Sequence, residues 1–163
     1  MSYFAAVLTR RGSRWTGEEA DLDDCESLDD LRNLLDDQSG DVRLLVIEQD
    51  DEYAAIVRFD DGADDARAFL SDGHSADAYP IAALVAEELA EVGDDEDEDE
   101  LDEDAPPAHE SAPFGDPTIV EDLGTSAADL LAMCAHEGTL PVDVLVAVCE
   151  KAGCAELFED LHG

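Results

Sequence analysis

Cysteine and histidine are the side chains of this sequence best suited to nucleophilic or metal chemistry, and there are four of each. The cysteines are Cys25, Cys134, Cys149 and Cys154; the histidines are His74, His109, His136 and His162. Cys149 and Cys154 stand five apart with no second pair beside them, which is neither zinc-knuckle spacing nor a redox motif. Cys134 and Cys149 sit among Leu, Ala, Met and Val, a setting in which cysteine serves as a small hydrophobe. Plain packing is therefore preferred to a disulfide or a metal. The histidines are scattered through loops, linker and helix ends, and His136 suits the negative end of a helix dipole better than a shared metal.

Carboxylates are too numerous to single out a catalytic pair. Acid–base catalysis needs a carboxylate held in a perturbing, partly buried place, whereas most of these lie in charged runs that stay wet. Asp60-Asp61-Gly62-Ala63-Asp64-Asp65 has the look of a calcium loop, but it is half the necessary length and lacks the terminal bidentate glutamate. No glycine-rich phosphate loop, Gly-x-Ser-x-Gly elbow or His-Glu-x-x-His occurs. The sequence thus assigns no catalytic, cofactor-binding or metal-binding residue, and the expectation is a protein that is not an enzyme and holds no cofactor.

Charge narrows the field further. Of 163 residues, 45 are Asp or Glu and 8 are Lys or Arg, a formal net charge of -37. Such a chain repels a phosphate backbone, so direct binding to nucleic acid is not expected. Arg10, Arg11 and Arg14 form a basic island too small to reverse this, better placed to pair with neighbouring acids. The hydrophobic fraction of 45% is nonetheless sufficient for a core. The apolar run Tyr3 to Leu8 has no basic stretch before it and is far shorter than a membrane span. These features predict a cytoplasmic protein with no membrane partner.

The elements that would carry these side chains fall into three parts. Residues 1–92 read as an α+β domain. Tyr3 to Arg10 is a strand closed by Arg11-Gly12-Ser13, and Trp15 opens a return segment. Ser27 caps a helix with Leu28, Leu31, Leu34 and Leu35 on one face. Val42 to Glu48 is a continuous apolar run of a buried strand. Glu52 to Phe59 alternates, with Tyr53, Ala55, Val57 and Phe59 on one side and Ala54, Ile56 and Arg58 on the other. Arg67 to Ser71 is a last strand, and a helix runs from Ser75 to about Val92 with Pro80 in its first turn. The result is an antiparallel sheet with helices on one face.

Residues 93–116 form the second part, an acidic, proline-rich linker. Ten of the eleven residues from Asp94 to Asp104 are acids, which repel one another and offer nothing to bury, so disorder is predicted. Residues 117–163 are the third part, a small helical unit. Thr118 to Leu123 ends at Gly124; Thr125 or Ser126 caps Ala127 to Ala135, with Leu130, Leu131 and Cys134 on its buried side. Pro141 opens a helix to Ala152 with Leu145, Val148 and Cys149 as its stripe, and Glu156 to Leu161 adds a last turn.

Met1-Ser2-Tyr3-Phe4-Ala5-Ala6-Val7-Leu8 followed by Trp15 resembles a small actinobacterial family, the tRNA adenosine deaminase-associated proteins. The resemblance continues in Leu44-Leu45-Val46-Ile47-Glu48-Gln49-Asp50-Asp51, Val57-Arg58 and Phe69-Leu70-Ser71-Asp72. It resumes at Gly115-Asp116-Pro117 and Asp122-Leu123-Gly124. These stretches bear fold rather than catalysis. The resemblance implies no established biochemical role, and it does not imply the deaminase activity; charge complementarity leads to the expectation of an accessory protein, with the deaminase or another basic protein as partner. Zinc deaminases need a His-x-Glu element and a Pro-Cys-x-x-Cys element, and neither is present. The alternatives are a polyanionic nucleic-acid mimic, a general protein-interaction module, and an enzyme with an unrecognised site.

Overall fold

β1 (Tyr3–Arg11) and β3 (Val42–Gln49) pair antiparallel at the centre of a six-stranded sheet, in register from Tyr3 opposite Gln49 to Arg10 opposite Val42. The structure, a computed structural model, describes residues 3–22, 25, 30–31, 33–34, 40–49, 52–60, 67–72, 79–92, 114–135 and 139–162. β2 (Arg14–Glu19) flanks β1, while β4 (Tyr53–Asp60), β5 (Arg67–Leu70) and β6 (Phe114–Gly115) follow β3 on the other side. Every pairing is antiparallel, in the order β2-β1-β3-β4-β5-β6. The acidic stretch Asp94 to Asp104, the Asp61 to Asp65 loop and Ser27 to Asp29 lie outside the described residues, as do His74, His109 and His136.

All eight residues of β3 are buried, and its continuous apolar character explains why. A strand covered on both faces has no wet side, so alternation disappears. On one face Ala5, Val7, Leu45, Ile47, Tyr53, Ala55 and Val57 pack under α1 (Pro80–Val92) through Ala82, Leu84 and Val85. Leu22 and Leu31 join this layer. The helical backbone at Asp30, Leu31, Asn33 and Leu34 agrees with the leucine spacing.

The opposite face carries the helices that follow residue 114. Phe4, Ala6, Leu8, Leu44, Val46, Ala54, Ile56 and Phe69 meet α2 (Ala127–Ala135), α3 (Pro141–Ala152) and α4 (Ala155–His162) through Leu130, Val144, Leu145, Val148 and Phe158. Phe4 and Phe158 meet edge to face at 5.6 Å. Burying a phenylalanine such as Phe158, which is fully enclosed, contributes roughly 2–3 kcal/mol. The fold is α+β, an antiparallel sheet with one helical layer on each face.

Two local findings differ from the sequence expectations. Pairing resumes at Phe114 and Gly115, opposite Leu70 and Phe69, before the end of the stretch 93–116 drawn as linker. A strand of two residues has no periodicity to read. Leu131 was expected on the buried side of α2 with Leu130, yet it is 39% exposed while Leu130 is enclosed. Adjacent helical positions are about 100° apart, so a nine-residue helix touching the core along one narrow line buries only one of them.

Candidate functional site

The few cations of the chain decide how its surface looks. Arg58 and Arg67 are directly opposite each other on β4 and β5, a like-charge cross-strand pair that needs compensation. Acids from the segment after β6 supply it. Arg58 donates Nη1 to Asp122 Oδ1 at 2.6 Å and Nη2 to Asp122 Oδ2 at 2.8 Å, and also donates Nη1 to the Ile119 carbonyl at 2.7 Å. Arg67 lies 3.6 Å from Asp116. The hydrogen bond from Arg58 holds the Asp122 carboxyl below its ordinary value, overcoming the partial burial that pushes it up. The 3-10 turn Glu121–Leu123 delivers Asp122, and Gly124 ends it with φ +117°.

Other arginines are also turned inward. The Arg43 guanidinium sits 5.1 Å from the centre of the Phe59 ring, and that of Arg10 sits 5.9 Å from Trp15. Trp15 Nε1 donates to the Ala152 carbonyl at 3.1 Å, fastening the edge strand β2 to the end of α3. Meanwhile Glu121, Asp122, Asp129, Asp143, Glu150, Glu156, Glu159 and Asp160 are all exposed. From Phe114 to His162 the sole lysine or arginine is Lys151. The outer surface of this helical layer is consequently an anionic plate, and it is the candidate interaction surface.

Of the residues singled out for chemistry, the structure brings one pair of cysteines together. Cys149 and Cys154 are both buried, as packing requires, and their thiols are hydrogen-bonded to each other. Gly153 between them adopts φ +98°, and the amides of Gly153 and Cys154 both donate to the Cys149 carbonyl at 2.8 Å. In this helix cap the residue three before the last helical position, Cys149, and the second residue beyond that position, Cys154, meet, so the five-residue gap across a glycine is itself the signal for contact. The hydrogen bond from Cys149 lowers the Cys154 thiol below its ordinary value and raises Cys149. Cys134 packs against the edge of the same core, and burial pushes its thiol up to about 11.

His162 also has a definite place. Its ring lies 4.7 Å from Phe4 and 5.7 Å from Phe158, and Nε2 is 3.2 Å from Glu48 Oε1. That contact fastens the last turn of α4 to β3. Sequence reasoning treated the histidines as incidental, and no short-range pattern links positions 48 and 162. Among the described residues no group of three His, Cys, Asp or Glu side chains converges as a metal site. Among them, too, no helix is long and apolar enough to cross a membrane.

No curated protein and no solved structure matches this chain. One family model does, over residues 3–155, a span that takes in the sheet, α1, α2 and α3 and reaches only the first residue of α4. Its description names an association with tRNA adenosine deaminase rather than the deaminase itself. The match covers nearly the whole chain, which belongs to the family of Rv3753c-like tRNA adenosine deaminase-associated proteins.

Proposed function

We propose that the protein is a non-catalytic cytoplasmic accessory of tRNA adenosine deaminase, docking by its anionic helical layer on the enzyme's tRNA-binding surface. The observation that carries the reading is the disposition of charge. Arg10, Arg43, Arg58 and Arg67 are engaged by rings and acids of the chain itself, while the carboxylates of α2 to α4 face outward. An enzyme that grips tRNA needs a basic surface, and a polyanion of -37 is complementary to it. Docking there would compete with tRNA and so meter the enzyme. The family description supplies the enzyme's identity as the partner to test.

The test is competition. Titrating the full chain into a deaminase–tRNA complex should release the tRNA, with an apparent affinity that weakens as salt rises. The same titration against unrelated basic nucleic-acid-binding proteins distinguishes the general mimic, which would release nucleic acid from all of them. No release from the deaminase would overturn the docking reading.

A further inference from the structure

Cys154 is buried against the core yet lines the wall of an open cleft of about 790 Å³ between the β1–β2 turn and the α3–α4 junction. Arg14 and Trp15 form one side of the cleft; Glu150, Glu156 and Asp160 help to form the other. Cys149 lies behind Cys154, thiol against thiol, held by the two amide bonds of the helix cap. We infer that Cys154 and Cys149 form a peroxide-reactive dithiol, entered through this cleft, that closes to an internal disulfide.

The chemistry balances as follows. The Cys154 sulfur attacks a peroxide oxygen, so that an S–O bond forms and the O–O bond breaks. The peroxide is reduced, and the departing hydroxide takes up the thiol proton as water. The Cys149 sulfur then attacks Cys154; the S–S bond forms, the S–O bond breaks, and the second water leaves with the Cys149 proton. Two thiols and one hydrogen peroxide give one disulfide and two waters. An external thiol reverses the step by exchange.

The cleft selects the oxidant by charge. With three carboxylates and one arginine on its walls it disfavours anionic reagents, whereas hydrogen peroxide is small and neutral. Cys134 has no thiol partner and its proton is held tightly by burial, so it is the slower site. A transient disulfide of this kind is the form that sensing cysteines take in a reducing compartment.

The experiment treats the reduced full chain with hydrogen peroxide at neutral pH, blocks the remaining thiols in denaturant and maps the peptides by mass. The expected product is a Cys149–Cys154 disulfide, formed at least about ten-fold faster than oxidation of Cys25 or Cys134 and removed by dithiothreitol. In Cys149→Ser, dimedone should label Cys154; in Cys154→Ser, it should leave Cys149 unlabelled. Should either variant fail to fold, the wild-type map decides alone. Recovery of Cys149 and Cys154 as free alkylated thiols, or oxidation of Cys25 and Cys134 first, would overturn the proposal. The result is independent of whether the deaminase binds.

Discussion

Arg58 and Asp122 are 64 positions apart in sequence and meet through two parallel hydrogen bonds of 2.6 and 2.8 Å. The arginine is 3% exposed and the aspartate 57% exposed, so the pair sits at the rim where the sheet passes beneath the second helical layer. The fork of the guanidinium fixes the approach of the segment after β6 more tightly than a lysine could. Val57-Arg58, Gly115-Asp116-Pro117 and Asp122-Leu123-Gly124, which carry part of the family resemblance, are the residues that build this clamp.

Asp122→Asn should destabilise the protein by roughly 2 kcal/mol, because a buried guanidinium loses its counter-charge while half the pair is already wet. The penalty depends on pH with a defined sign. The native Asp122 carboxyl titrates below the ordinary aspartate value of 3.8, so its stabilisation is present above that pH and is lost as pH falls through the lower, native value. Denaturant unfolding of both forms should therefore show a constant gap near neutrality that closes below about pH 4. A gap independent of pH would remove the ionic account.

Gly124→Ala tests the turn that presents Asp122. Its φ of +117° disfavours a side chain, and an added Cβ would lie 3.0 Å from the Lys151 carbonyl oxygen. A loss of about 2 kcal/mol or more in thermal unfolding is expected. A neutral result would mean that the turn relaxes without loss.

Glu48 and His162 should couple. A double-mutant cycle with Glu48→Gln and His162→Gln should give an interaction energy of roughly 0.5–1 kcal/mol, and amide exchange should quicken in α4 for each single change. Strict additivity would show that the 3.2 Å contact contributes nothing.

Net charge of -37 places like charges close together over the whole surface. Raising sodium chloride from about 0.05 to 0.5 M should screen that repulsion and raise the melting temperature by several degrees. A fall would mean that attractive pairs dominate.

The strands were legible because local pattern coincides with tertiary environment. The alternation from Tyr53 to Phe59 assigned the two faces of β4 correctly, and the unbroken run Leu44 to Ile47 marked a strand covered on both sides. What lies on the second face was not legible. Whether the helices after Pro117 packed on the sheet, on a copy or on a partner depends on contacts such as Phe4 with Phe158, which no local spacing encodes. Arg58 appeared only as a polar position on an apolar strand face, and its partner lies beyond the acidic stretch. The thiol contact was legible in principle from Gly153, but spacing was read against metal and redox motifs rather than against helix-cap geometry.

The central claim is that the anionic helical layer docks on tRNA adenosine deaminase. It is tested most directly by measuring binding of the enzyme to the full chain and to a Glu150→Lys, Glu156→Lys, Glu159→Lys variant. All three residues are exposed, so the variant should fold with stability close to that of the parent. The account predicts binding by the parent that weakens between about 50 and 200 mM salt, and at least about ten-fold weaker binding by the variant. Equal binding by both forms, or none by the parent at either salt, would contradict it.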